Sequence, residues 1–269
     1  MNDAAEKFPT TSSKGTRVLG VASLVGIVVT TLYAFVVSKP EEFLGESIRI
    51  MYVHVPTISI AYLAMIANAC FSAFYLWKRT VFSDLMAAVT GEIGVVLLAL
   101  GLISGSLWGR ATWGVFWRWD ARLTTTTLLF LMYLGYLAVR SLPAEPQSRG
   151  TRSAVVGILS AMLIYPVHMS VTWWGSLHQS STLFDPNDPR NNTHIAGTQL
   201  FTLFLGFVTV TLIGIWLTMH RFRVAWLTEQ VAEHELADSI EARRAEGGPP
   251  AGAAGAAQPD RVALAGEPS

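Results

Sequence analysis

The chain has 269 residues, of which 51% are apolar and only 14% are charged, and its formal net charge is zero. Soluble domains carry about 25% charged residues, so this composition is typical of a membrane protein. Neither the net charge nor any basic, aromatic-rich patch indicates nucleic-acid binding. The single cysteine, Cys70, excludes intramolecular disulfides, CxxC redox chemistry and thiolate metal clusters.

The N-terminal part of the chain predicts three membrane-spanning helices. Residues 1–16 are polar, and we expect them to form a disordered cytoplasmic N-terminus. The apolar run at residues 17–37 is longer than the core of about 7–15 residues in a signal peptide, and no A-x-A site follows it. It is therefore predicted to be an uncleaved first helix. Residues 50–77 and 85–107 are predicted to form the second and third helices.

The remaining apolar runs complete a bundle of six helices. They predict a fourth, fifth and sixth helix at residues 123–139, 153–171 and 197–219. Each run is long enough to cross a hydrocarbon layer of about 30 Å. The predicted fold is an all-α polytopic membrane protein with a tryptophan-rich loop on its outer face. Residues 17–220 form the transmembrane domain, and residues 221–269 form a cytoplasmic helix followed by a disordered tail.

The positive charges predict the orientation. The side that bears the N-terminus holds ten lysines and arginines: Lys7, Lys14, Arg17, Lys78, Arg79, Arg140, Arg149, Arg152, Arg221 and Arg223. The other side holds six: Lys39, Arg49, Arg110, Arg118, Arg122 and Arg190. Because cytoplasmic connections carry the excess of these residues, both termini are predicted to be cytoplasmic.

A tryptophan-rich stretch separates the third and fourth helices. Residues 108–124 read WGRATWGVFWRWDARLT, which is too polar for lipid, and Trp117 and Trp119 would not share a helical face. Such a stretch suits a large flat ligand, because indole rings stack on it while Arg118 or Arg122 pairs with its carboxylates. An interfacial aromatic belt is the alternative. The ligand platform is favoured because six of the nine tryptophans fall in two outer regions: Trp108, Trp113, Trp117, Trp119, Trp173 and Trp174.

Histidines approach the same outer surface. His54 lies in MYVHVP at the outer end of the second helix, and His178 lies in WWGSLHQSS within a second outer loop at residues 173–192. Imidazole is the commonest metal ligand and frequently binds haem iron. His168 and His194 are also outer residues, for which an interfacial hydrogen-bonding role is the alternative. HExxH, CxxCH and Walker motifs are missing, so the sequence carries no sign of a zinc protease, covalent haem attachment or ATP hydrolysis.

Three further features have a structural interpretation. Glu92 lies inside the third helix, where a carboxylate is costly unless it is paired, protonated or part of a relay. Asp120 precedes the fourth helix and either caps it or orients a neighbouring arginine or tryptophan. Gly101, Gly105 and Gly109 form a GxxxGxxxG series that predicts close helix packing.

Three motifs together resemble one family. WGVFWRWD, preceded by SGSLWGRATW and followed by ARLT, resembles the signature of the haem-handling WWD membrane proteins. IRIMYVHVP upstream and VTWWGSLHQSS downstream are similar to the haem exporter protein C family (CcmC) of cytochrome c maturation. The resemblance covers roughly residues 48–220, whereas the related haem lyases have many more helices than this chain. The segment after Arg223 is not a feature that we associate with the family.

The resemblance implies a function at the periplasmic face of a bacterial inner membrane. The family binds haem there and presents it to a periplasmic haem chaperone, beside an ATP-binding-cassette pair and a small membrane subunit, and it is not an enzyme family. It implies transient binding of haem b with His54 and His178 as axial ligands. The platform it implies comprises Trp113, Gly114, Trp117, Trp119 and Asp120. Trp108 is a further candidate for haem binding, and either Arg118 or Arg122 is expected to pair with a propionate.

Two other classes of function remain open. A membrane dihaem oxidoreductase would use paired histidines on facing helices within the bilayer, whereas the candidates here cluster at the outer surface. A permease-like scaffold would use its tryptophans only as an interfacial belt.

Overall fold

The computed structural model of the chain describes residues 12–42, 44–178 and 195–246. Six of its helical segments are long and apolar enough to cross a membrane. Between these described residues there is no β-strand, and only an isolated bridge joins Glu41 to Gly45. The predicted all-α polytopic fold is therefore confirmed.

Seven α-helices follow one another in the described part of the chain. In chain order they are α1 (Lys14–Leu32), α2 (Ile48–Lys78), α3 (Val81–Trp113), α4 (Ala121–Ser141), α5 (Pro146–Ala161), α6 (Ile164–Trp174) and α7 (Thr198–Glu246). A π-helical turn, Tyr33–Val37, continues α1 to complete the first span. We call the end of the bundle where α3 ends and α4 begins the tryptophan end.

The fifth span differs from the single helix that the sequence predicts. It consists of α5 and α6, which meet at Met162 and Leu163. Pro166 explains this interruption, because proline has no N–H and its ring clashes with the carbonyl four residues earlier. That carbonyl belongs to Met162, the residue that caps the C-terminal end of α5.

Two predicted helix ends are also wrong. The third helix continues beyond residue 107 to Trp113, where Gly114 adopts a left-handed conformation with φ 77° and ends it. The first part of the tryptophan-rich stretch is therefore helical and not loop. The sixth span continues beyond residue 219 as α7, since no glycine or proline lies between residue 219 and Gly247 to stop it.

The chain forms two compact units, Met1–Ala225 and Trp226–Ser269. All candidate site residues belong to the first unit. The second unit contains the last part of α7, whose side chains from Val231 to Arg244 are mostly exposed. The proposed boundary between a membrane domain and a C-terminal extension at residue 220 stays a prediction.

The bundle core lies between α2, α3 and α4. Met65, Leu98 and Tyr133 are completely buried there. A Cβ atom at Gly101 would overlap the side chain of Ile58, so α2 and α3 approach closely because this position lacks a side chain. The predicted packing role of Gly101 is confirmed.

Two acidic residues of α3 are paired with arginines of other helices. Arg221 donates to both carboxylate oxygens of Glu92 at 2.5 and 2.8 Å. Arg140 contacts both oxygens of Asp84 at 2.8 and 2.6 Å, and only 13% and 11% of these two side chains is exposed. Glu92 is therefore paired, one of the alternatives that the sequence allows.

Candidate functional site

His54 projects from the first turns of α2 onto α3. Its Nδ1 lies 3.1 Å from the carbonyl oxygen of Gly101 and 3.1 Å from Oγ of Ser104. A carbonyl oxygen only accepts hydrogen bonds, so Nδ1 carries the proton of the neutral ring. The lone pair is then on Nε2, which is the nitrogen available to a metal.

Trp108 and Gly105 flank the His54 ring. The centroids of the His54 and Trp108 rings are 5.5 Å apart at an angle of 60°. A Cβ atom at Gly105 would lie 2.8 Å from Cε1 of His54. Trp108 is only 8% exposed and packs with Ile48, Met51 and Tyr52, so it supports His54 from within and is not an exposed platform residue.

His178 lies against the next tryptophan of α3. The His178 and Trp113 ring centroids are 6.3 Å apart at 66°. Trp113 is the last residue of α3 and is five residues beyond Trp108, a rise of about 7.5 Å along the helix. The structure thus brings two histidines from distant parts of the sequence to the last turns of one helix.

Asp120 connects the tryptophan-rich stretch to the segment that carries His178. One carboxylate oxygen accepts from the N–H of Leu123 at 2.9 Å and caps α4. The other accepts from the hydroxyl of Ser176 and from the N–H of Leu177 at 3.0 Å. Ser176 Oγ in turn accepts from the N–H of His178 at 3.1 Å. The predicted cap is confirmed, and the link to the His178 segment is an additional role.

The connection between α3 and α4 exposes aromatic rings. Ser106 donates to the carbonyl of Phe116 at 2.7 Å and fixes this connection onto α3. The rings of Trp117 and Trp119 meet edge to face at 5.4 Å. Trp119 is 74% and Phe116 57% exposed, whereas the indole nitrogen of Trp117 is buried with no acceptor among the described residues. The exposed aromatic face is therefore centred on Phe116 and Trp119.

The two candidate arginines differ in their surroundings. Arg118 is exposed, and its side chain makes no hydrogen bond or ion pair within the described part of the chain. Arg122 uses Nη1 to donate to the carbonyls of Val167 and His168 at 3.1 and 3.0 Å. Arg118 is thus available to an anionic ligand, while Arg122 also ties α4 to α6. The side chain of His168 is exposed.

Comparison with known proteins gives the family. The family model described as "Heme exporter protein C" (CcmC) matches residues 2–237. The chain belongs to this family. The match continues past Arg223, so the start of the segment that we had regarded as foreign to the family lies within the family's pattern.

Relatives of the haem exporter protein C family match most of the chain. The heme exporter protein C of Haemophilus influenzae is 35% identical over 212 residues, which are 77% of this chain and 81% of the relative. That of Escherichia coli K12 is 30% identical over 219 residues, or 79% and 88% of the two chains. That of Bradyrhizobium diazoefficiens is 34% identical over 166 residues, or 60% and 62%.

The residue types at the tryptophan end are compatible with haem, the ligand in the family's name. Among the residues that the structure describes, no three His, Cys, Asp or Glu side chains form a group that would hold a bare metal ion. Haem brings four nitrogen ligands of its own, so two imidazoles are sufficient for its iron. Trp119 and Phe116 offer ring faces to an apolar macrocycle.

Sequence reasoning missed the side of α3 that holds His54. The glycine spacing predicts only helix packing for Gly105, and in the structure Gly105 faces the His54 ring. The sequence indicates no role for Ser104, which contacts Nδ1 of the same ring. Their spacing from Gly101 is the only sequence signal, and it does not reveal the partner on α2. His194 and residues 179–192 of the second outer loop lie outside the described residues.

Proposed function

We propose that this protein binds haem at the tryptophan end of its bundle and delivers it to a periplasmic haem chaperone during the maturation of c-type cytochromes. The observation that carries the proposal is the placement of His54 and His178 against Trp108 and Trp113 at the end of α3. Membership in the haem exporter protein C family supports it independently.

In this proposal the two histidines are the axial ligands of haem b. Nε2 of His54 binds one face of the iron, and the imidazole of His178 binds the other. The aromatic platform comprises Trp113, Gly114, Trp117, Trp119 and Asp120, with Trp108 supporting it from within. The ring of haem is planar and apolar, so it is removed from water by contact with these indoles.

The propionates of haem require cations. Arg118 is exposed beside Trp117 and Trp119 and pairs with one propionate. Arg122 lies in the same tryptophan-rich stretch, and those of its N–H groups that do not contact α6 are the second source of positive charge. No cysteine attaches the haem covalently. Non-covalent binding allows the haem to be released, as delivery requires.

The proposed setting is the bacterial inner membrane. Six candidate spans are an even number, which supports an arrangement with both ends of the chain on one side, and the excess of lysine and arginine favours the cytoplasm for that side. The tryptophan end then faces the periplasm. Partners of the protein are an ATP-binding-cassette pair and a small membrane subunit, and the chain itself performs no catalysis.

Absorbance spectra of the purified protein test this function. The protein, produced together with the haem chaperone, should show a haem Soret band that a His54→Ala/His178→Ala double variant loses. His220→Ala is the matched control, because His220 also packs on a tryptophan, Trp216, at 5.1 Å. His168→Ala should leave the band unchanged.

Two results would contradict the proposal. A colourless native protein would favour a transport scaffold with an aromatic belt. An unaltered band in the double variant would mean that other residues bind the haem, as in a membrane oxidoreductase with histidines inside the bilayer.

A further inference from the structure

We propose that Ser104 and Gly105 of α3 are positioning residues that fix the His54 ring, so that its Nε2 is presented to the haem iron. This inference rests on the proposed function, in which His54 is an iron ligand. It assigns to one face of α3 the task of holding that ligand in a single orientation.

The first part of this arrangement is a pair of acceptors for one N–H group. The hydroxyl of Ser104 donates its own hydrogen to the carbonyl of Leu100 at 2.8 Å. Its lone pairs then face Nδ1 of His54, beside the carbonyl of Gly101. Turning the ring over would place a C–H group against both acceptors, so the observed orientation is the one that satisfies them.

The second part is the absence of a side chain at position 105. A methyl group there would lie 2.8 Å from Cε1 and 3.3 Å from Nδ1 of His54. The indole of Trp108 contacts the same ring. The imidazole is therefore confined between a backbone surface and an aromatic ring, and it cannot move away without losing its hydrogen bonds.

The acceptors at Nδ1 and the missing side chain at position 105 affect the bond between His54 and the haem iron only indirectly, through the position of the imidazole ring. An acceptor on the distal N–H of a metal-bound histidine fixes its tautomer and increases its basicity, and removing such a partner typically weakens metal binding about 10- to 100-fold. Ser104 and Gly105 do not touch the haem in this arrangement. Their contribution is to hold a correctly oriented and more basic ligand.

The experiment compares haem release from the purified haem-loaded protein. Ser104→Ala should release haem to an excess of a haem-scavenging apoprotein about 10-fold faster than the native protein, and Gly105→Ala faster still, by about 10- to 100-fold. Both should show a partly high-spin ferric spectrum. Ser104→Thr, which keeps the hydroxyl, should behave as the native protein.

Matched controls separate positioning from general destabilisation. Gly135→Ala changes a glycine of α4 whose Cβ would meet nothing within 4 Å. Ser141→Ala removes a hydroxyl that bonds only within α4. Both should release haem at the native rate, and Ser104→Ala should retain the native melting temperature while its spin state changes.

The outcomes separate a failure of the positioning role of Ser104 and Gly105 from a failure of the proposed haem-binding function. If His54→Ala keeps the native spectrum, His54 is not a ligand and the proposed function fails. If His54→Ala loses its haem while Ser104→Ala and Gly105→Ala match their controls, His54 is a ligand that needs no support from α3, and the positioning role is overturned.

Discussion

At the scale of single residues, Asp120 shows how one carboxylate serves two segments. One oxygen caps α4 through Leu123, and the other holds Ser176 and Leu177. The sequence predicts the cap because an aspartate directly precedes an apolar helix. It does not predict the second contact, because residues 176 and 177 are distant in the chain.

An asparagine at position 120 should separate these two roles. Its amide has a single acceptor oxygen, so Asp120→Asn can retain the cap on α4 or the contact with Ser176 and Leu177, but not both. Because asparagine is a good N-cap, we expect a nearly native melting temperature together with weaker ligation by His178. The measurement is the fraction of high-spin ferric haem, which should rise in Asp120→Asn.

Asp120→Ala provides the comparison for that variant. It loses the cap as well, at a cost of about 1 kcal/mol in the free energy of unfolding. If Asp120→Asn gives the same haem spectrum as the native protein, the contact with the Ser176 segment does not position His178.

At the scale of helices, α7 packs on α2 at a position that only glycine permits. Pro56 deprives the carbonyl of Tyr52 of its usual helical hydrogen bond. A Cβ atom at Gly206 of α7 would overlap this carbonyl. Backbone cannot rotate aside as a side chain does, so the two helices would have to separate.

Alanine substitutions at two glycines should therefore have opposite effects. Gly206→Ala should lower the free energy of unfolding by about 1–3 kcal/mol through overpacking. Gly135→Ala, which meets open space, should raise it by about 0.5–1 kcal/mol through better helix propensity. Unfolding by SDS titration in mixed micelles measures both changes, and equal effects would contradict the close contact of α7 with α2.

The ion pair between α3 and α4 is expected to respond differently to single and double substitution. Asp84→Asn leaves Arg140 buried without its counter-charge, and we expect a loss of about 3–5 kcal/mol in the free energy of unfolding. Asp84→Leu/Arg140→Leu removes both charges and should recover most of that loss. The same SDS titration applies, and a double variant less stable than Asp84→Asn would disprove this account.

The sequence predicts the helices well and their ends less well. Apolar runs reveal six spans because each must cross a layer of similar thickness. The extension of α3 to Trp113 escapes such reasoning, since Trp108 and Arg110 look like loop residues although they continue the helix. Pro166 is visible in the sequence, but whether a proline bends or interrupts a helix depends on its neighbours, as the unbroken helix around Pro56 shows.

The candidate site also has residues that the sequence predicts and contacts that it does not. His54, His178 and the tryptophans are conspicuous because their residue types are unusual at these positions. The burial of Trp108 and the contacts of Ser104 and Gly105 arise from packing of α2 on α3. Such contacts depend on the rotation of each helix about its axis, which hydrophobic periodicity does not determine in a helix that is apolar on all sides.

At the scale of the whole molecule, the orientation in the membrane can be tested by cysteine labelling. In a Cys70→Ser background, Val115→Cys lies in the exposed connection between α3 and α4, and Ser141→Cys lies at the opposite end of α4. A membrane-impermeant maleimide added to cells with a permeable outer membrane should label Val115→Cys. It should label Ser141→Cys only after the inner membrane is opened, and the reverse pattern would invert the topology.

The exposure of Trp119 and Phe116 has a consequence for the fate of the cargo. These rings lie on the surface and not in an enclosed cavity, so haem seated on them keeps one edge open to an approaching protein. In the proposed complex, a chaperone can then begin to bind the haem before His54 and His178 release it. Free haem, which aggregates in water and damages lipids, need never exist as a separate species during the exchange.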